Sequence, residues 1–181
     1  MQGRQEESTE LGRNEAFLRA VIKIGQYSLV PGLNIEASRL MSSLIRYSKD
    51  GEVVSLASAN SATTLLLSLL NSPHSQLLNE SLVALCLLTA PSPPRAEVAE
   101  KIDADFTSKK VEDLLELDEG KCPREVKFNA ITLVHNILKW NIGSVSSKFQ
   151  NLSSKLQPFR AELPITEEIQ RLLNEGKTTF D

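Results

Sequence analysis

Apolar positions recur with a helical period through most of the chain. Residues 62–90 read as two apolar helices separated by the break Asn71-Ser72-Pro73, with related copies at 108–138 and 15–47. Apolar residues spaced by three and four form one face of an α-helix, so the pattern predicts helices rather than strands. The predicted helices span 16–26, 34–47, 52–59, 61–71, 76–89, 97–102, 109–117, 124–140, 145–156 and 166–174.

Each copy ends in a helix that contains a similar five-residue segment, at 36–40, 80–84 and 129–133. Helical units that recur every 40–47 residues or so are typical of armadillo and HEAT repeats. The sequence therefore predicts an all-α, armadillo/HEAT-like right-handed α-solenoid of about three repeats plus a C-terminal cap. The predicted organisation is a flexible leader at 1–13, the solenoid at 14–157, and a C-terminal helix and tail at 158–181.

Composition argues against two classes of protein, nucleic-acid binders and membrane-inserted proteins. The chain has 181 residues and a net charge of −3, whereas a dedicated nucleic-acid binder usually has a basic domain. No apolar run reaches membrane-spanning length, so we expect no direct membrane insertion. Cys86 and Cys122 lie in unrelated contexts and form no CxxC pair, which favours a reducing, cytoplasmic setting.

Candidate chemistry is sparse. The two histidines, His74 and His135, have no Cys, Asp or His partner at metal-ligand spacing. No glycine-rich phosphate-binding motif is present. We therefore expect no metal, no cofactor and no enzyme activity, and a helical repeat instead predicts an extended surface that binds another macromolecule.

Five segments occur in chain order at 10–15 (ELGRNE), 36–40 (EASRL), 43–49 (SLIRYSK), 79–85 (NESLVAL) and 123–129 (PREVKFN). Together they resemble the C-terminal armadillo region of the SmgGDS family of small-GTPase GDP-dissociation stimulators, and the resemblance runs over about residues 10–157.

The resemblance implies an armadillo protein that binds Ras- and Rho-type GTPases with basic, prenylated C-terminal tails and promotes release of their GDP. Family members carry many more repeats than this chain, which therefore looks like a C-terminal portion or a short form. The family's lipid-binding pocket lies in repeats that are absent here. The alternative is a generic armadillo scaffold without exchange activity.

Third helices line the concave groove of armadillo repeats, and their aligned positions here are Arg39/Ser43, Val83/Leu87 and Thr132/Asn136. Nuclear-import receptors carry a Trp and an Asn at such pairs. Only Asn136 matches the Asn, and no Trp matches, which argues against a nuclear-import receptor.

Arg39 and Arg46 lie seven residues apart on nearly one helical face, and Glu36 precedes Arg39 by three. The strip either meets a partner or is a solvated face with local ion pairs, and Asn136 either meets a partner or bonds within the fold. Our predicted partner-binding residues are Arg39, Arg46, Glu80, Asn129 and Asn136.

An acidic segment at 112–119 holds five carboxylates. It could attract a basic GTPase tail, or it could be a solvated helix face. We also expect possible self-association through exposed repeat ends, because an unpartnered repeat leaves an apolar helix face without a neighbour.

Overall fold

The computed structural model describes residues 2–26, 29–48, 51–59, 61–90, 98 and 102–178, and within those ranges it contains helices and no strand. The α-helices are α1 (Gln2–Arg13), α2 (Glu15–Gly25), α3 (Pro31–Ser48), α4 (Gly51–Ala59), α5 (Ala62–Leu69), α6 (Ser75–Leu88), α7 (Ala104–Glu116), α8 (Arg124–Val145), α9 (Leu152–Lys155) and α10 (Ile165–Thr178). Short 3-10 helices span Ser146–Phe149 and Gln157–Phe159.

The chain forms two compact units, residues 1–98 and 99–181. In the first unit, α2 packs on α3, α5 packs on α6, and the two third helices α3 and α6 lie side by side. Equivalent helices of successive repeats stack in this way in armadillo proteins, each contacting its neighbour. The predicted all-α, armadillo-type class is confirmed, while the handedness of a solenoid stays a prediction.

Small residues let α3 and α6 approach closely. Ser38 and Ser81 are both buried, and their hydroxyl oxygens lie 3.4 Å apart. Asn34 and Leu77, each near the start of its helix, line one pocket. The two N-terminal ends therefore lie together, and the helices run parallel.

Helix α3 begins earlier than predicted. The helix was predicted over 34–47, yet Pro31 is the first residue of α3. Proline suits the first helical turn, because its fixed φ is helical and the N–H that it lacks would have no intrahelical partner there.

The segment predicted as a flexible leader contains a helix. Residues Gln2–Arg13 form α1, which packs on α3 and α4. A Cβ on Gly12 would lie 2.6 Å from Val53 Cγ1, so the absent side chain permits this close packing. Arg13 Nε also lies 2.9 Å from Glu52 Oε2. Helix α1 therefore packs through a glycine and an ion pair. Since neither is an apolar side chain, the sequence of α1 looks polar.

The second unit is organised around α8. This helix runs to Val145, five residues beyond its predicted end, and α7 and α10 both pack on it. The predicted capping helix at 145–156 is instead a 3-10 turn followed by α9. Residues 158–178, expected to be a separate helix and tail, belong to this unit through α10. The predicted helix at 97–102 lies mostly outside the described residues.

Candidate functional site

Two of the predicted partner-binding residues meet across α3 and α6. The Arg39 Nε donates to Glu80 Oε1 over 2.9 Å, and its Nη1 donates to Glu36 Oε1 over 3.2 Å. The hydrogen bond to Glu80 is the main cause that raises the pKa of Arg39. Arg39 thus ties the two helices together and is already paired on both sides.

Exposed and half-buried positions form one continuous surface on these helices, which we name the α3–α6 wall. On each helix the positions recur at spacings of three and four, so they share one face. The wall consists of Glu36, Arg39, Leu40, Ser43, Arg46 and Tyr47 on α3, and of Asn79, Glu80, Val83, Cys86 and Leu87 on α6.

Arg46 and Tyr47 occupy the C-terminal end of α3 on this wall. Both side chains are exposed, and the Arg46 guanidinium carbon lies 5.8 Å from the centre of the Tyr47 ring. The sequence prediction included Arg46 but missed Tyr47. The spacing of 36, 40, 43 and 47 was the signal that could have placed the tyrosine on the exposed face.

The other two predicted residues lie in the second unit, on α8. Asn129 is half-buried, and Asn136 is buried at 5% exposure. The structure thus brings Arg39 and Glu80 together, leaves Arg46 exposed at the far end of the same helix, and buries Asn136. Burial favours the alternative that Asn136 bonds within the fold, and it removes this side chain from the accessible surface.

The C-terminal residues cover α8. The His135 Nε2 lies 2.7 Å from Glu168 Oε2 on α10, and Lys139 Nζ lies 3.5 Å from Glu168 Oε1. The hydrogen bond with His135 is the main cause that lowers the pKa of Glu168. These contacts tie α10 to the helix that was expected to line a groove. Thr166 lies inside α10 and donates its hydroxyl to the Leu163 carbonyl over 2.8 Å.

Lys127, near the start of α8, also points into the second unit. Its side chain is buried, and Nζ donates to the carbonyl oxygens of Leu115, over 3.2 Å, and Leu117. These carbonyls close the C-terminal end of α7, where a cation is favoured by the helix dipole. Lys127 therefore stabilises the α7–α8 packing.

Most carboxylates of the acidic segment at 112–119 are already paired. Lys155 Nζ contacts both Glu112, over 2.7 Å, and Glu116. Glu119 and Asp118 pair with neighbouring basic residues, Arg124 and Lys121. This pairing favours the interpretation of a solvated helix face over a patch that attracts a basic tail.

Candidate cofactor sites do not emerge from the described part of the chain. No group of three or more His, Cys, Asp or Glu side chains in it could hold a metal ion. Burial raises the pKa of the Cys86 thiol to about 12, so the thiol stays protonated and is a poor nucleophile. None of the helices within the described ranges is both long and apolar enough to span a membrane.

Exposed apolar side chains gather around the turn from α2 to α3. Ile24, Val30 and Leu33 are each more than 40% exposed, and Leu29 is 88% exposed. An apolar patch of this kind is consistent with association. Self-association through this region stays a prediction.

Comparison with known proteins supports the resemblance. The chain is 29% identical over 131 residues to Rap1 GTPase-GDP dissociation stimulator 1-B of Xenopus laevis, and 30% identical over 132 residues to stimulator 1-A of the same species. Each match covers 71% of this chain, and the chain spans 21% of the length of each relative. No family model matches the chain.

Among solved structures, an engineered protein is 15% identical, with a TM-score of 0.48 over 95% of this chain and 90% of its own length. A designed armadillo repeat protein is 11% identical, with a TM-score of 0.45 over 98% of this chain and 93% of its own. The sequence comparison carries the conclusion: the predicted resemblance is confirmed, and the chain is similar to a part of the GTPase-GDP dissociation stimulators.

Proposed function

We propose that the chain binds a small GTPase of the Ras or Rho class through the α3–α6 wall and favours release of its GDP. The observation that supports this most is the similarity, over 71% of the chain, to two proteins named as Rap1 GTPase-GDP dissociation stimulators. In this proposal the chain is a binding protein and not an enzyme. A cytoplasmic location is part of the same proposal.

The proposed mechanism requires only a difference in affinity. A protein that holds the nucleotide-free GTPase more tightly than the GDP-bound form shifts the equilibrium towards GDP release. No residue needs to act as an acid, base or nucleophile. The requirement is a surface that keeps its shape. Two noncovalent contacts hold α3 and α6 together beneath and across the α3–α6 wall: the Ser38–Ser81 contact and the Arg39–Glu80 hydrogen bond.

The test uses Rap1 loaded with fluorescent GDP, an excess of unlabelled nucleotide, and the intact chain. We expect faster loss of fluorescence in the presence of the chain. The variant Arg39→Glu should slow this release, because it places a third carboxylate beside Glu36 and Glu80. A matched control is Arg160→Glu, an exposed residue of the second unit with the same change of charge.

The outcomes separate the proposal from its rival, a scaffold that tethers partners without affecting nucleotide. The short span of the chain relative to its relatives keeps this rival open. Binding of Rap1 without faster release would support the scaffold. No binding of Rap1 or of a Rho-type GTPase would refute the proposed function, and equal loss in Arg39→Glu and Arg160→Glu would refute the assignment to the wall.

A further inference from the structure

The charges on the α3–α6 wall are unevenly paired. Arg39 is shared between Glu36 and Glu80, so its guanidinium already has two carboxylate partners. Arg46, seven residues further along α3, forms no ion pair with any residue in the described part of the chain. A partner can therefore add a carboxylate at Arg46 without displacing an existing pair, whereas at Arg39 it would have to compete with Glu80.

The environment of Arg46 suits a specific contact. The guanidinium is planar and can donate two parallel hydrogen bonds to a carboxylate. Tyr47 lies beside it with its ring 5.8 Å away and 39% of the residue exposed. Arg and Tyr are among the residues that contribute most to the binding energy of protein interfaces.

The neighbouring part of α6 is apolar. The two interhelical contacts join residues 43 and 41 positions apart, and the helices run parallel, so Arg46 lies level with Leu87. Val83, one turn earlier on the same face, is also half-buried. An ion pair formed against such a surface is partly shielded from water, and the attraction between the charges is stronger there than in bulk solvent.

We infer that Arg46 and Tyr47 form the specificity-determining contact of the α3–α6 wall, and that it takes an Asp or Glu side chain flanked by an apolar residue on the partner protein. This inference rests on the proposed function and adds the chemistry of the recognised group. Arg39 and Glu80 then fix the spacing of the wall, while Arg46 and Tyr47 select what binds to it.

The first test measures the affinity of the intact chain for nucleotide-free Rap1 by fluorescence anisotropy or calorimetry. Arg46→Glu should weaken binding by about tenfold or more, the range typical of interface anchors, and Arg46→Lys should retain part of the affinity. Tyr47→Ala should weaken binding as well. The matched control is Lys23→Glu, an exposed residue of α2 outside the wall, which should bind like the wild type.

The second test identifies the partner's carboxylate. Exposed Asp and Glu residues of Rap1 are changed to Lys one at a time, and each is tested against wild type and Arg46→Glu. One of these Rap1 variants should bind the wild-type chain more weakly and should restore binding to the Arg46→Glu chain. Circular dichroism checks that each variant keeps its helices.

Each outcome decides one point. If the wild type binds and Arg46→Glu binds equally well, the inference is wrong and the proposed function stands. If Arg46→Glu loses binding but no Rap1 variant restores it, the carboxylate assignment is overturned. If neither Rap1 nor a Rho-type GTPase binds the wild type, the proposed function and the inference both fail.

Discussion

The third helices of the two units share a sequence pattern but differ in exposure. In the first unit, α3 and α6 keep a half-exposed face along their whole length, with Arg46 and Tyr47 open to solvent. In the second unit, Thr132 of α8 is half-buried like the aligned Arg39, but Leu133 and Asn136 are buried where the aligned Leu40 and Ser43 of α3 are half-buried. Aligned positions of the same repeat pattern can therefore differ in exposure, and the difference lies in what packs on the helix.

The C-terminal part of the second unit packs on α8 and covers part of its surface. Helix α10 places Ile169, Leu172 and Leu173 in the core, all nearly inaccessible to solvent. Its acidic first turn reaches His135 and Lys139 through Glu168. In this unit α10 acts as the cap that a repeat array needs over its last apolar face.

Substitutions at the aligned positions 40 and 133 should give the largest difference between the two units. Leu133→Asp should destabilise the second unit by about 3–5 kcal/mol, because it buries a charge without a partner. Leu40→Asp, at the aligned half-buried position of α3, should cost about 1 kcal/mol. Urea unfolding followed by Trp140 fluorescence reports on the second unit, since this is the only tryptophan, and circular dichroism reports on all helices.

Similar losses in the free energy of unfolding for Leu40→Asp and Leu133→Asp would contradict the difference in exposure between the two helices. A loss of helicity in Leu133→Asp with unchanged Trp140 emission would also contradict it, because the tryptophan lies on the same helix.

Lys127 sharpens the comparison at the start of α8, where its side chain turns inward. Lys127→Met keeps the aliphatic stem but removes the two hydrogen bonds to the carbonyls that end α7. We expect a loss of about 1.5–3 kcal/mol, the usual range for hydrogen bonds that involve a charged group. Lys109→Met, the same change at an exposed position of α7, should stay within about 0.5 kcal/mol of the wild type.

The measurement is again urea unfolding with Trp140 fluorescence. Equal stabilities for Lys127→Met and Lys109→Met would show that the buried lysine contributes no hydrogen-bond energy to the second unit.

The sequence alone predicts the helical parts of this contrast well. The periodicity of apolar residues located α3, α6 and α8, and the break at Asn71-Ser72-Pro73 separates α5 from α6 as expected. These features are local, because the spacing of residues along one helix decides which face is apolar. The pairing of Arg39 with Glu36 was predictable for the same reason.

What the sequence did not predict depends on residues distant in the chain. Asn136 aligns with the half-buried Ser43 and Leu87 of the first unit, yet it is buried because elements that follow α8 in the chain pack on that helix. The acidic segment looks like a free surface until Lys155, about 40 residues later, meets Glu112. Helix α1 escaped detection because it packs through Gly12 rather than through a large apolar side chain.

The smallest expected effect concerns the contact between α8 and α10. The pKa of Glu168 is lowered from its ordinary value of 4.5, mainly by the hydrogen bond with His135 and also by Lys139. A carboxylate with a lowered folded-state pKa stabilises the protein above its unfolded-state pKa, and this stability is lost as the pH falls through the folded-state pKa. Glu168→Gln should therefore reduce stability by about 1 kcal/mol or less above pH 5, a difference that shrinks below about pH 4.5.

Urea unfolding of wild type and Glu168→Gln at several pH values between 3 and 7 gives this difference directly. The control is Glu167→Gln, whose exposed side chain precedes Glu168 on the same helix turn and should give a smaller, flatter difference. His135, Lys139 and Arg171 are the charged or titratable groups near Glu168 in the described part of the chain. If the difference for Glu168→Gln grows as the pH falls, the contact does not favour the ionised carboxylate, and α10 is held on α8 by its apolar face alone.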